Sequence, residues 1–128
     1  RLGLPRMMVI PQDMSRAILN LMNNASYAVW NKSQTAGDDY KPEVAVSVKQ
    51  ADNNIIISLT DNGEGMNEEV KQHLYENFFT TKPVGQGTGL GMAITRDIIE
   101  NRHHGTISFE SQEGIGTTFT ITLPAKKI

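Results

Sequence analysis

Apolar residues recur along this chain with two different periods, and the switches between them mark the elements. Met14, Ala17, Ile18, Leu21, Met22, Ala25, Ala28 and Val29 return at three- and four-residue intervals, the spacing of one helix face from Met14 to about Trp30. Pro11 and Asp13 just upstream are helix-start residues. A short apolar run, Met7 to Ile10, precedes them and is compatible with a strand. The helical period then stops, and Lys32 to Pro42, with Gly37-Asp38-Asp39, reads as a solvated loop. Strand-like runs follow in Val44-Ala45-Val46-Ser47-Val48 and Ile55 to Thr60, joined by a turn around Asp52-Asn53-Asn54. Glu68 to about Tyr75 predicts a short helix, and Asn77 to Thr88, rich in Gly, Thr and Pro, a mobile loop. Thr88 to Asn101 predicts a second amphipathic helix with Leu90, Ala93, Ile94, Ile98 and Ile99 on its inner face. Two more strands, Thr106 to Glu110 and Thr117 to Leu123, flank a turn at Glu113-Gly114-Ile115-Gly116. Hairpin-linked strands beside long helices predict an α/β (α+β) two-layer sandwich. Its sheet is mixed, mostly antiparallel and of about five strands, with helices on one face and water on the other.

Composition narrows this picture. With 128 residues the chain is expected to form one domain, residues 1–128, burying roughly two-thirds of its unfolded surface. Twelve basic against 14 acidic residues, net −2, argue against a dedicated nucleic-acid or membrane-surface module, which usually carries a basic excess. The absence of cysteine excludes disulfides and thiolate chemistry and fits a reducing, cytoplasmic setting. There is no run of 18 apolar residues and no signal-peptide pattern. Beginning at Arg1, the sequence reads as a piece of a longer protein.

The candidate chemistry starts at Asp61, directly after the run Ile55 to Thr60 and opening Asp61-Asn62-Gly63-Glu64-Gly65-Met66. Strand side chains alternate, so Ile55, Ile57, Leu59 and Asp61 share a face, the more apolar one. A carboxylate there costs several kcal/mol unless hydrogen-bonded. A ligand amino group is one partner, and adenine offers one where guanine offers a carbonyl. Asp-Asn-Gly is also a strong turn signal, so Asp61 reads equally as a cap on its own loop. On the first helix, Asn20, Asn24, Tyr27 and Asn31 form a polar stripe beside the apolar face. Interior asparagines cost a helix roughly 0.5 kcal/mol each against alanine. Asn23 reads as solvated face, whereas Asn24, next to the buried side, suits magnesium, which takes one or two protein oxygens beside phosphates.

Glycines at 85, 87, 89 and 91 precede the second long helix. G-x-x-x-x-G-K-[ST] is absent and G-x-G-x-x-G fails in every register, which excludes a P-loop, a Rossmann site and a protein-kinase glycine loop. Backbone amides free of side chains at a helix start still offer donors to an anion. Thr117 shares a strand face with Phe119, Ile121 and Leu123, where its hydroxyl could hold a water beside a base or bond a neighbouring carbonyl.

In this order the segments resemble the ATP-binding catalytic domain of sensor histidine kinases, a branch of the GHKL superfamily with the Bergerat fold. Leu19 to Ala25 is similar to the family's asparagine box, and Asp61 to Met66 to its first glycine box. Phe78-Phe79-Thr80-Thr81-Lys82-Pro83 is similar to its phenylalanine box, Gly87 to Ile94 to its second glycine box, and Gly116 to Pro124 to its closing strand. The resemblance covers almost the whole chain. It implies that Asn24 binds Mg2+ bridging the ATP phosphates and that Asp61 accepts the adenine amino group. Gly63, Gly65 and Met66 would line the base, with Thr117 holding a water there. Asn67 to Gly87 would form an ATP lid in which Thr80, Thr81 and Lys82 meet the nucleotide, Lys82 at a phosphate. Gly87, Thr88, Gly89, Leu90 and Gly91 would supply the helix-start donors, and Asn24, Asn20 and Lys82 are the candidate catalytic residues.

Several positions depart from the family pattern. A basic residue common three positions after the metal asparagine is Tyr27 here, which leaves Lys32 or Arg96 as substitutes. Asn77 stands where proline is usual, and His104 replaces a glycine usually paired with Gly105. Water-activating relatives place a glutamate four residues before the metal asparagine; here that residue is Asn20, which cannot serve as a general base. The resemblance therefore implies phosphoryl transfer to a histidine rather than hydrolysis. A GHKL ATPase, an anti-sigma-type serine kinase and a nucleotide-binding adaptor without transfer are the alternatives. None of His73, His103 and His104 is followed by the acidic residue usual at a phosphoacceptor, so the acceptor is expected on a separate helical domain of the parent. The parent is expected to be a homodimer, its membrane attachment undetermined, with a response regulator downstream; the isolated domain is expected to be a monomer.

Overall fold

A computed structural model describes residues 11–75 and 91–124 of the chain. In chain order the elements are α1 (Pro11–Ser33), β1 (Val44–Ala51), β2 (Asn54–Asp61), α2 (Glu68–His73), α3 (Gly91–Arg96) running on into a wider π-helical segment (Asp97–Arg102), β3 (Thr106–Gln112) and β4 (Gly116–Pro124). Among the described residues the sheet has four strands in the order β1-β2-β4-β3, and every neighbouring pair is antiparallel. That is one strand fewer than the expected five and lacks the parallel pairing of a mixed sheet. The strand expected over Met7–Ile10 lies outside the described residues.

The register sorts the side chains into rows, because directly opposed residues share a face. Leu59 opposes Val46 and Phe119, and Phe119 opposes Phe109. The next row is Val48, Ile57, Ile121 and Ile107. Ile55, Leu59, Phe119, Ile121 and Leu123 are buried, so the alternation expected for β2 and β4 holds. Phe109 and Phe119 meet at a centroid distance of 5.7 Å, and the Tyr75 ring reaches Phe109 edge-on at 6.3 Å. The outer face carries Ser58, Thr60, Thr118, Thr120, Thr122 and Ser108, and no helix among the described residues packs on it.

α1 lays Ala17, Leu21, Ala25 and Val29, one residue per turn, against this slab and against α3. Pro11 begins the helix and Asp13 stands in its first turn, where the backbone leaves N–H groups that favour an acid. The helix runs one turn beyond the expected end at Trp30, to Ser33. Met92, Thr95, Ile98 and Ile99 form the buried side of α3 and its continuation. The π-helical winding was not foreshadowed by the apolar spacing. Its end is closed by His103 Nδ1 at 2.9 Å from Ile98 O and by Gly105 N–H donating to Ile99 O at 2.9 Å. His103 is thus a buried residue at the turn into β3. No helix among the described residues is long and apolar enough to cross a membrane.

Candidate functional site

The apolar rows of the sheet end in a polar one. Val44 opposes Asp61, Asp61 opposes Thr117, and Thr117 opposes Ser111, so an acid and two hydroxyls line up across all four strands at one end of the core. Asp61 is the last residue of β2 and is only 7% exposed. Its Oδ1 accepts from Gly63 N–H at 2.8 Å, the turn-capping bond that Asp-Asn-Gly favours. Burial holds its carboxyl above the ordinary carboxylate range, against the pull of the Gly63 and Thr117 amides. Glu64 adds to the rise, and Lys32 opposes it. The cap uses one oxygen, so the turn role and a ligand role do not compete.

Beside it, Ser111 Oγ accepts from Met66 N–H at 2.8 Å, donates to Gly116 O at 3.2 Å and lies 2.7 Å from Thr117 Oγ1. Ser111 was not singled out from the sequence. Its signal was a hydroxyl at the inward register position of a strand end. Two glycines owe their identity to packing inside this corner. A Cβ on Gly63 would lie 2.7 Å from the carbonyl carbon and Cβ of Ala28 on α1. Gly65, at φ +69°, would drive a Cβ into the Gln112 carbonyl of β3.

The asparagine stripe of α1 reaches α3 at two points and the turn after β2 at a third. Asn20 Nδ2 donates to Thr95 Oγ1 at 3.2 Å, Asn24 Nδ2 to Met92 Sδ at 3.1 Å, and Asn31 Nδ2 to Glu64 Oε1 at 2.7 Å. With its nitrogen directed at sulfur, the Asn24 amide has its oxygen as the atom suited to a hard cation. Thr95 is fully buried; a hydroxyl amid the inner face of α3 was the sequence signal for its role.

Both residues offered as substitutes for the basic residue missing at Tyr27 have partners within the fold. The Lys32 ammonium donates to Gly114 O at 2.9 Å and Asn62 O at 3.4 Å and lies 4.8 Å over the Tyr40 ring. Arg96 pairs with Glu100 at 3.0 Å and covers the Tyr75 ring at 4.9 Å. Tyr27 itself stacks at a tilt on the exposed Trp30, 5.8 Å between centroids. The structure thus gathers Asp61, Gly63, Gly65, Met66 and Thr117 at one corner, while Asn20 and Asn24 meet α3, which Gly91 opens. Thr80, Thr81, Lys82, Gly87, Thr88, Gly89 and Leu90 lie outside the described residues, as does most of the lid expected over Asn67–Gly87.

Residues 10–127 match the family described as histidine kinase-, DNA gyrase B- and HSP90-like ATPase. The chain belongs to that family. Sporulation kinase B of Bacillus subtilis (strain 168) is 42% identical over 112 residues, 88% of this chain and 24% of that protein. The sensor histidine kinase ZraS of Escherichia coli (strain K12) is 35% identical over 121 residues, 94% of this chain and 23% of that protein. The chain therefore spans about a quarter of the length of these relatives. Among solved structures, the nucleotide-free catalytic domain of the histidine kinase ThkA aligns with a TM-score of 0.73 at 29% identity, covering 93% of this chain and 70% of that one. The fold is that of a histidine kinase catalytic domain, and membership of this ATPase family implies ATP binding.

Proposed function

We propose that this domain binds Mg-ATP and presents its γ-phosphoryl to a histidine on a separate helical domain of the parent protein. The observation that carries this reading is the buried Asp61 at the end of an apolar sheet face, with the amides of α1 alongside. Asp61 accepts the adenine amino group, Thr117 holds a water beside the base, and Met66 follows the turn that lines it. Adenine's exocyclic donor complements the carboxylate, whereas guanine's carbonyl would oppose it. Magnesium fits the donor set: among the described residues no three His, Asp or Glu side chains form a cage, and one neutral amide oxygen suits an ion held mainly by phosphates and water. Asn24 would hold that ion, which when bound neutralises charge on the phosphates. Lys82, Thr80, Thr81 and the donors from Gly87 to Gly91 complete the phosphate side, and Asn20 braces α1 on α3.

Phosphoryl transfer requires positioning and charge neutralisation more than covalent chemistry by the protein. Asn20, bonded to Thr95, offers an amide where a water-activating base would stand, which favours transfer over hydrolysis. The parent is proposed to be a cytoplasmic-facing homodimer that passes the phosphoryl group on to a response regulator; this domain alone is a monomer.

Calorimetric titration with an ATP analogue and magnesium tests the site. Asp61→Asn is expected to abolish the preference for adenine over guanine nucleotides. Asn24→Ala is expected to abolish the gain in affinity from magnesium and transfer to the parent's helical domain. Equal binding of both purines by the unaltered domain would refute the reading.

A further inference from the structure

The turn that carries Asp61 is held from behind by a cation. Lys32, in the last turn of α1, directs its ammonium into a gap between the Asn62 carbonyl of that turn and the Gly114 carbonyl of the β3–β4 turn, at 3.4 and 2.9 Å. The floor of the gap is the Tyr40 ring, 4.8 Å below the ammonium. Tyr40 Oη in turn donates to Asn62 O at 2.9 Å and lies 3.2 Å from Asn62 Oδ1. Asn62 is fixed further by Glu43 N–H donating to its Oδ1 at 2.8 Å and by its Nδ2 donating to Lys41 O at 2.8 Å. Gly114 N–H donates to Glu64 O at 2.7 Å, tying the two turns directly. Three segments distant in sequence thus converge behind the acid.

We propose that Lys32, seated on Tyr40, is a positioning residue for base recognition, fastening the Asp61–Gly65 turn to the β3–β4 turn so that the carboxylate is preset toward the purine. This rests on the reading of Asp61 as the adenine ligand. The ammonium fixes the Asn62–Gly63 and Gly114–Ile115 peptide units, while Asn62 N–H donating to Glu43 O fixes the unit before it, so the chain on which Asp61 sits is oriented from both sides. The same cation has an electrostatic consequence. The charged and titratable groups facing Asp61 are Glu64 on its own turn, Lys32 from α1 and Tyr40 from the segment before β1. Of these only Lys32 favours the ionised carboxylate. Lys32 therefore acts through Asp61 and touches no part of the ligand itself.

The test compares Lys32→Met, Lys32→Arg and Asp61→Asn for binding of an ATP analogue with magnesium from pH 5 to pH 8. As pH falls, the unaltered domain is expected to lose affinity as Asp61 gains its proton. Lys32→Met is expected to move that loss to higher pH and to bind about threefold to fivefold more weakly at the acid end, the size of a partly exposed charge pair. Lys32→Arg, which keeps the charge, is expected to restore the original profile. An affinity of Lys32→Met that matches the unaltered domain at every pH overturns the inference. So does a loss that is equal at every pH or that arginine does not rescue, because a mere structural prop would behave so. Asp61→Asn separates the two claims: if it leaves adenine binding intact, the assignment of the site fails whatever Lys32 does. If Lys32→Met does not fold, Tyr40→Leu removes the floor and the bond to Asn62, and the same shift in pH profile is required of it.

Discussion

Two residues in this domain carry local tension of opposite kinds. His104 sits at φ 57°, in the left-handed region, with its side chain exposed in the connection to β3. A non-glycine residue there costs about 1–2 kcal/mol, and nothing in the fold requires the imidazole. His104→Gly is expected to stabilise the domain by about 1 kcal/mol, less the entropy glycine gains when unfolded, raising Tm by roughly 3–5 °C. A thermal melt that moved downward would show that the side chain contributes a contact. Asp61 is the opposite case, strain with a use. Its folded pKa lies above the unfolded value, chiefly through burial, so the folded state holds the proton longer. Stability contributed by this group is therefore complete below the unfolded pKa of 3.8 and is lost as pH rises through the raised folded value. Urea unfolding of wild type against Asp61→Asn, repeated from pH 3 to pH 7, should show the difference shifting toward the variant across that window and flat above it. A difference independent of pH would mean that the carboxylate is not destabilised by burial.

At the scale of elements, the site depends on how closely α1 approaches the turn after β2. Gly63 makes that approach possible, since any Cβ would fall 2.7 Å from Ala28 backbone and side chain together. Gly63→Ala must push α1 away, costing about 1–3 kcal/mol by overpacking and carrying Asn24 away from Asp61. Its nucleotide affinity should fall along with its stability, whereas Leu21→Ala, a cavity in the core, should cost stability of about 2–5 kcal/mol with a smaller effect on affinity once folded. Equal affinity losses in the two variants would argue against a geometric role for Gly63. The same comparison shows what the chain reveals in one dimension. The inward set of β2, the apolar stripe of α1 and the inward Thr117 were legible, because strand and helix periods assign faces without tertiary knowledge. Gly63 and Gly65 were legible as glycines of a ligand loop, but the atoms that forbid side chains there belong to Ala28 and Gln112, and no local pattern announces a long-range approach. The partners of Lys32 were hidden for a related reason: a lysine's partners are chosen by the fold, and here they are carbonyls. The π-helical end of α3 escaped because its winding answers to the closing bonds of His103 and Gly105 rather than to apolar spacing.

For the molecule as a whole, the corner draws residues from elements that lie far apart in the sequence. α1 supplies the amides, β2 the acid, β4 and β3 the hydroxyls, and α3 the sulfur and hydroxyl that orient Asn24 and Asn20. A ligand that touches Asp61 and Asn24 at once therefore clamps α1 to the sheet, and unfolding must release it. For a ligand that binds only the folded state, this coupling is worth about 2.7 kcal/mol at a hundredfold excess over Kd. Melting curves with ADP or an ATP analogue should rise accordingly, and further when magnesium is added. In Asn24→Ala the nucleotide-dependent rise should remain while the magnesium increment disappears, because the base contact survives and the cation loses its protein ligand. In Asp61→Asn the rise should be small with or without magnesium. Guanine nucleotides should produce little shift in any of the three proteins. If Asn24→Ala and the unaltered domain gained equally from magnesium, the cation would have to be held by residues other than this amide, and the link between α1 and the phosphates would fall.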